Sequence, residues 1–199
     1  MSYREFNLEK AKNDFNLTLA ESTNLFAHLP NLACSQLLKE TLEYNLPLAL
    51  ASNSEKARSE LIIAPILVDL RRQLKEKISL FSGVDFSVDP TQGLTGICDF
   101  LITQSTEILM INSPVIIIVE AKKENIVAGL GQCVAEMVAA RIFNERSGNH
   151  IKTILGSVTT GSIWQFLQLE QDLIKVDLSE YYLKDVEQIL GILAGEIRD

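Results

Sequence analysis

The most pointed chemistry in this chain sits in Glu120-Ala121-Lys122, which ends the β-branched run Val115-Ile116-Ile117-Ile118-Val119. Side chains alternate along a strand, so Ile116, Ile118, Glu120 and Lys122 share a face. Two charges on the core side of a buried strand are costly without partners. Either the strand has emerged into solvent there, where a short E-x-K pair is common, or the charges meet partners inside the protein. Asp99 is the candidate partner. It lies in Gly96-Ile97-Cys98-Asp99-Phe100-Leu101-Ile102, among apolar neighbours where a solvated acid is out of place. Its alternatives are an edge-strand position or a pairing with a buried lysine. Antiparallel strands joined through Asn112, Ser113 and Pro114 can set Asp99 and Glu120 side by side. Close carboxylates repel unless a cation lies between them, and oxygen ligands with bound water suit Mg2+; Mn2+ is the natural substitute. Such a metal would activate water for phosphodiester hydrolysis. The Lys122 ammonium, on the same face, would orient that water or stabilise developing negative charge. Lys123 points the other way by parity.

The elements that must position these residues follow from periodicity and turn chemistry. Phe6 to Ala20, with Leu8, Ala11, Phe15 and Leu19 near helical spacing, predicts an N-terminal helix. Ser35 to Tyr44 predicts a second, short helix, ended by Pro47. Residues 1–52 therefore read as a helical extension of a domain that occupies 53–199. Ser54 is placed to cap a third helix through Leu67, in which Pro65 should bend the axis or mark a loosened turn. Lys75-Glu76-Lys77 solvates its far end. Gly83 opens the alternating strand Val84–Val88, Asp89-Pro90-Thr91-Gln92-Gly93 is turn chemistry, and Leu94 to Thr103 is a second strand. Val115–Val119 reads as a central strand covered on both faces. A helix over Asn125–Phe143 follows, then strands Ile151–Thr160 and Ile163–Leu169. They are joined by Gly161-Ser162, a hairpin turn in which glycine takes the positive φ. Glu180–Glu196 closes the chain as a helix. This order predicts an α/β fold, a mixed sheet flanked by helices.

Composition narrows the class. The 199 residues are 47% hydrophobic and 22% charged, which suits one globular domain with a sizeable core. Cys34, Cys98 and Cys133 lack CxxC spacing and read as buried apolar residues in a reducing, cytoplasmic setting. No apolar run approaches bilayer length and Met1–Phe6 has no h-region, so neither membrane nor signal peptide is expected. A net charge of −8 opposes binding nucleic acid by bulk electrostatics. Local binding through a cation and a few basic residues remains open, with a homodimer or a protein partner supplying affinity. His28 and His150 lack ligand spacing, and Ser157 and Ser162 lack a His–acid pair. Gly129-Leu130-Gly131 reads as close packing rather than a phosphate loop, and Trp164 as core.

Gly96-x-x-Asp99 followed by a hydrophobic strand ending Glu120-Ala121-Lys122 resembles the PD-(D/E)XK nuclease superfamily. The resemblance implies a restriction endonuclease-like αβββαβ core, here from about residue 53 to 170. The chain is more closely similar to the nuclease domain of type I restriction motor subunits. There, E-x-K precedes a helix bearing Gln, then a strand ending in a Thr-x-Gly turn and a Trp, which match Gln132, Thr159-Thr160-Gly161 and Trp164. The resemblance implies Mg2+-dependent cleavage of DNA, with Asp99, Glu120, Lys122 and Gln132 as catalytic residues. It also implies a metal-binding glutamate on the first core helix. Glu60 is the candidate, because Ile63, Ala64 and Leu67 at three, four and seven residues on give it an apolar face. The literal Pro-Asp pair is absent, since Pro90 precedes Asp99 by nine residues. Two other readings stand beside this one: an inactive member of the same fold used for binding or assembly, and an unrelated α/β protein with a chance E-x-K.

Overall fold

The structure, a computed structural model, describes residues 2–75, 77–195 and 197. Glu76 in the charged run and Glu196 at the end of the expected closing helix lie outside them. The fold is α/β: one eight-stranded mixed sheet between two layers of helices. The strands are β1 (Thr18–Ser22), β2 (Ser79–Asp85), β3 (Ile97–Thr103), β4 (Val115–Ala121), β5 (Ile154–Thr159), β6 (Ile163–Glu170), β7 (Leu173–Asp177) and β8 (Tyr181–Tyr182). They lie in the order β1-β7-β6-β5-β4-β3-β2, with β8 pairing the start of β6 beyond the reach of β7. β4 and β5 are parallel, joined through the long helix α5 (Ile126–Arg146), and β2, β3 and β4 form antiparallel neighbours. Every residue of β4 is buried, as its unbroken β-branched run requires of a strand covered on both faces.

One face of the sheet is covered by α2 (Gln36–Ser52), by a continuous helix made of α3 (Glu55–Arg58), a π-helical turn (Ser59–Ile63) and α4 (Ala64–Gln73), and by α6 (Val186–Gly195). The other is covered by α1 (Leu8–Asp14) and α5. Trp164 is fully buried in the first of these cores, and all three cysteines are free and buried. α5 is long and apolar enough to cross a membrane, but 67% of its apolar window is buried inside the fold.

The N-terminal region departs from the predicted helical extension. α1 stops at Asp14 because Asn16 adopts a left-handed φ of 51° while the Leu17 N–H returns to the Lys12 carbonyl, a C-terminal stop signal. The chain then enters β1, which pairs in parallel with β7 and makes this region an edge of the sheet. Pro47 does not end α2, which runs on to Ser52; the proline sits on the exposed side, where water can satisfy the carbonyl it leaves free. Pro65 does coincide with a loosened turn. It cannot bond the Leu61 carbonyl, and that oxygen instead accepts from Asn45 Nδ2 at 3.0 Å. β2 begins earlier than expected, with Gly83 inside it at φ 63°. β7 and β8 are additional strands, and they delay the last helix to Val186.

Candidate active site

The C-terminal ends of the parallel strands β4 and β5 converge with the start of β3 and the first half of α5. The β3–β4 ladder pairs Phe100 with Val119, and the same register carried one step further faces Asp99 with Glu120. Instead of a backbone pair, the Asp99 carboxylate accepts the Ala121 N–H at 2.9 Å. That bond fixes one carboxylate oxygen and leaves the other available beside Glu120. Beyond β4, the Lys122 N–H bonds the Thr159 carbonyl at 2.8 Å, so β5 holds the backbone from which the lysine projects.

Glu120 is 1% exposed. Its Oε1 pairs with Lys122 Nζ, while its Oε2 is buried with no hydrogen-bond partner among the described residues. Lys122 Nζ also donates to Gln132 Oε1 at 3.2 Å, and Gln132 Nε2 donates to Glu136 Oε1 at 3.1 Å. Glu136 is fully buried, and its Oε2 too has no hydrogen-bond partner among the described residues. Asp99, Glu120, Lys122 and Gln132 are therefore brought together, and Glu136, the helical neighbour of Gln132 one turn on, extends the chain of contacts. Gly129 makes room for it: a Cβ there would lie 2.9 Å from Lys122 Cε and 2.7 Å from Val158 Cγ1. Gly131 serves a different contact, since its Cβ would fall inside the Asn7 backbone. The two glycines pack closely, one on the sheet and one on the N-terminal segment.

Glu60 is not part of this cluster. It is exposed, pairs with Lys56 at 3.0 Å, and borders a groove between α2 and α4. The glutamate of that helix whose charge acts on both Glu120 and Lys122 is Glu55, at the N-terminus of α3. Arg58, a turn later, donates to the Thr160 carbonyl and Ser162 Oγ and so ties α3 to the β5–β6 turn, where Gly161 has φ 80°. The sequence signal for Glu55 was its place next to the Ser54 cap, the first turn of the helix, where a carboxylate is favoured.

Charge balance defines what the site can do. Burial pushes the Glu120 carboxyl up to about 8, with the Asp99 charge adding and Lys122 opposing. Burial also raises Glu136 well above the carboxylate range, reinforced by Glu120. For Lys122, burial works against the charged form, but the Glu120 charge and hydrogen bond overcome it, so its pKa is raised. Three carboxylates thus face one ammonium in a poorly hydrated place, and the deficit is met either by bound protons or by a cation. Among the described residues, no group of three or more His, Cys, Asp or Glu side chains forms a ready-made cation cage. Two carboxylates, Asp99 and Glu120, with water and a substrate oxygen completing the shell, is a donor set that Mg2+ accepts. No family model matches the chain, and no curated protein or solved structure is significantly similar to it.

Proposed function

We propose that this chain is a divalent-metal-dependent nuclease of the PD-(D/E)XK type, hydrolysing phosphodiester bonds of DNA in the cytoplasm. The observation that carries the reading is the unpartnered, buried Glu120 Oε2 beside the Asp99 carboxylate, in a cluster where carboxyl groups outnumber the one ammonium. Asp99 and Glu120 would hold Mg2+ or Mn2+, which when bound supplies a Lewis acid that acidifies a water and offsets charge on the phosphate. Asp99 is pre-oriented for this by the Ala121 N–H. Lys122 is held between Glu120 and Gln132, so its third N–H remains to orient the water or to meet a phosphate oxygen. Gln132 gives the ammonium a second acceptor besides Glu120, and the Glu136 contact sets the direction of its amide.

The net charge of −8 favours a second reading, an inactive member of the same fold that binds or assembles with a partner. One set of measurements separates them. Purified protein is incubated with plasmid DNA and Mg2+ or Mn2+ beside Asp99→Asn, Glu120→Ala and Lys122→Ala, and metal binding is followed by calorimetry. Nuclease function requires cleavage by the wild type that is lost in all three variants. Cleavage that persists unchanged in Glu120→Ala and Lys122→Ala eliminates this site. Metal binding without cleavage selects the second reading.

A further inference from the structure

α2 carries two apolar faces, and only one of them is used. Leu38, Leu42 and Ala49 are buried in the core. Next to them, Leu37, Thr41, Tyr44, Leu48 and Ala51 recur at alternating spacings of four and three, the seam pattern by which one helix packs on another. Leu37 is 58%, Tyr44 76% and Leu48 51% exposed. Across a shallow groove of about 380 Å3, α4 adds Pro65 and Val68, the latter 57% exposed. Singly exposed apolar residues are ordinary, but a contiguous stripe along two helices marks a surface that is covered in use.

The direction of the two helices supplies the argument for what covers it. Ser35, the cap of α2, bonds Asp69 near the end of α4, whereas Asn45, well along α2, bonds the Leu61 carbonyl at the start of that helix. α2 and α4 are therefore antiparallel, and the groove between them has an exposed Arg72 at one end and an exposed Glu60 at the other. Those two positions are roughly 18 Å apart along the helix, at 1.5 Å per residue. A two-fold axis lying across the groove would set the Arg72 end of one copy on the Glu60 end of the other, twice. An axis along the groove would set like charge on like. The face is thus self-complementary in charge in the antiparallel sense. The exposed Lys56–Glu60 pair is of the kind worth little by itself, so Glu60 is available to an intermolecular arginine.

We propose that a second copy of this chain docks on the α2–α4 face, the two helix pairs forming an antiparallel four-helix interface. This proposal is independent of the nuclease reading. Sedimentation of the full chain at concentrations up to about 100 μM tests it. The wild type sediments as a dimer. Leu48→Glu and Val68→Glu, both at exposed positions, sediment as monomers while retaining the circular dichroism of the wild type. Arg72→Glu and Glu60→Arg each weaken association about tenfold, and the double variant Arg72→Glu/Glu60→Arg restores it. A monomeric wild type overturns the proposal and leaves the face to a different partner. So does a dimer that survives both Leu48→Glu and Val68→Glu. Failure of the double variant to restore association overturns the antiparallel arrangement.

Discussion

Replacing Glu120 by glutamine in the metal-free protein should change how stability depends on pH, and the size of the change follows from the site. The carboxyl of Glu120 is held up to about 8, against 4.5 for the free group, first by burial and then by Asp99. A folded-state pKa above the unfolded one means that the native state binds the proton more tightly. The stability this confers is fully present below about pH 4.5 and is lost as pH rises through about 8. Between those limits the loss approaches about 1.4 kcal/mol per pH unit, hence roughly 2–3 kcal/mol between pH 5.5 and 7.5. For a domain of this size that corresponds to a fall of about 5–10 °C in melting temperature. Glutamine keeps the volume and still accepts from Lys122, but carries no proton to lose. Thermal melts in a chelating buffer at the two pH values provide the assay. The wild-type midpoint should fall, relative to that of Glu120→Gln, by about this amount on going to pH 7.5. Excess Mg2+ should return most of it in the wild type at pH 7.5 and little at pH 5.5, where protons compete for the same oxygens. Parallel pH profiles for the two proteins would refute the reasoning, because they would mean that Glu120 is not held protonated by its surroundings.

Gly129→Ala should abolish cleavage while costing only about 1–3 kcal/mol in urea unfolding, because its Cβ displaces the Lys122 stem rather than a core side chain alone. Asn144→Ala should cost about 2–4 kcal/mol by the same assay. Asn144 is buried, accepts the Val115 N–H and donates to the Val115 carbonyl, both at 2.7 Å, and its loss strands both groups at the start of the central strand. Glu136→Gln should change stability at pH 7 by less than about 1 kcal/mol, since burial raises the pKa of that carboxyl and favours its uncharged form. Glu136→Leu, in contrast, should raise KM or lower kcat by releasing the Gln132 amide from its orientation toward Lys122.

The α/β class and the sheet's centre were legible because single dominant effects decide them. A run such as Val115–Val119 has no exposed way to exist, and the 3.6-residue apolar pattern after it has only one sheet face to pack on. The edges were less legible because they depend on small local preferences. Nothing in the periodicity of Leu8, Ala11, Phe15 and Leu19 distinguishes a helix of fifteen residues from one of seven followed by a strand. The left-handed Asn16 decides it, and asparagine is only one of several residues that tolerate such a turn. β7 is five residues with a single lysine in it, too short for alternation to outweigh its neighbours.

The candidate site shows the same division within a few residues. Strand parity correctly gave Glu120 and Lys122 a common side, because a strand's two-residue period admits no drift over so short a distance, and their side chains are in contact. The glutamate on the preceding helix was assigned from a helical period that the chain does not keep. Ile63, Ala64 and Leu67 define Glu60's face only if the helix is regular between them, and the π-helical turn over Ser59–Ile63 inserts a residue there. One extra residue rotates everything before it by about 100° relative to everything after it. Glu60 is thereby carried out to the α2–α4 groove, and the charge that reaches Glu120 from this helix is that of Glu55 instead. Pro65 marks that loosened turn in the sequence: it has no N–H to offer the Leu61 carbonyl, which accepts from Asn45 instead.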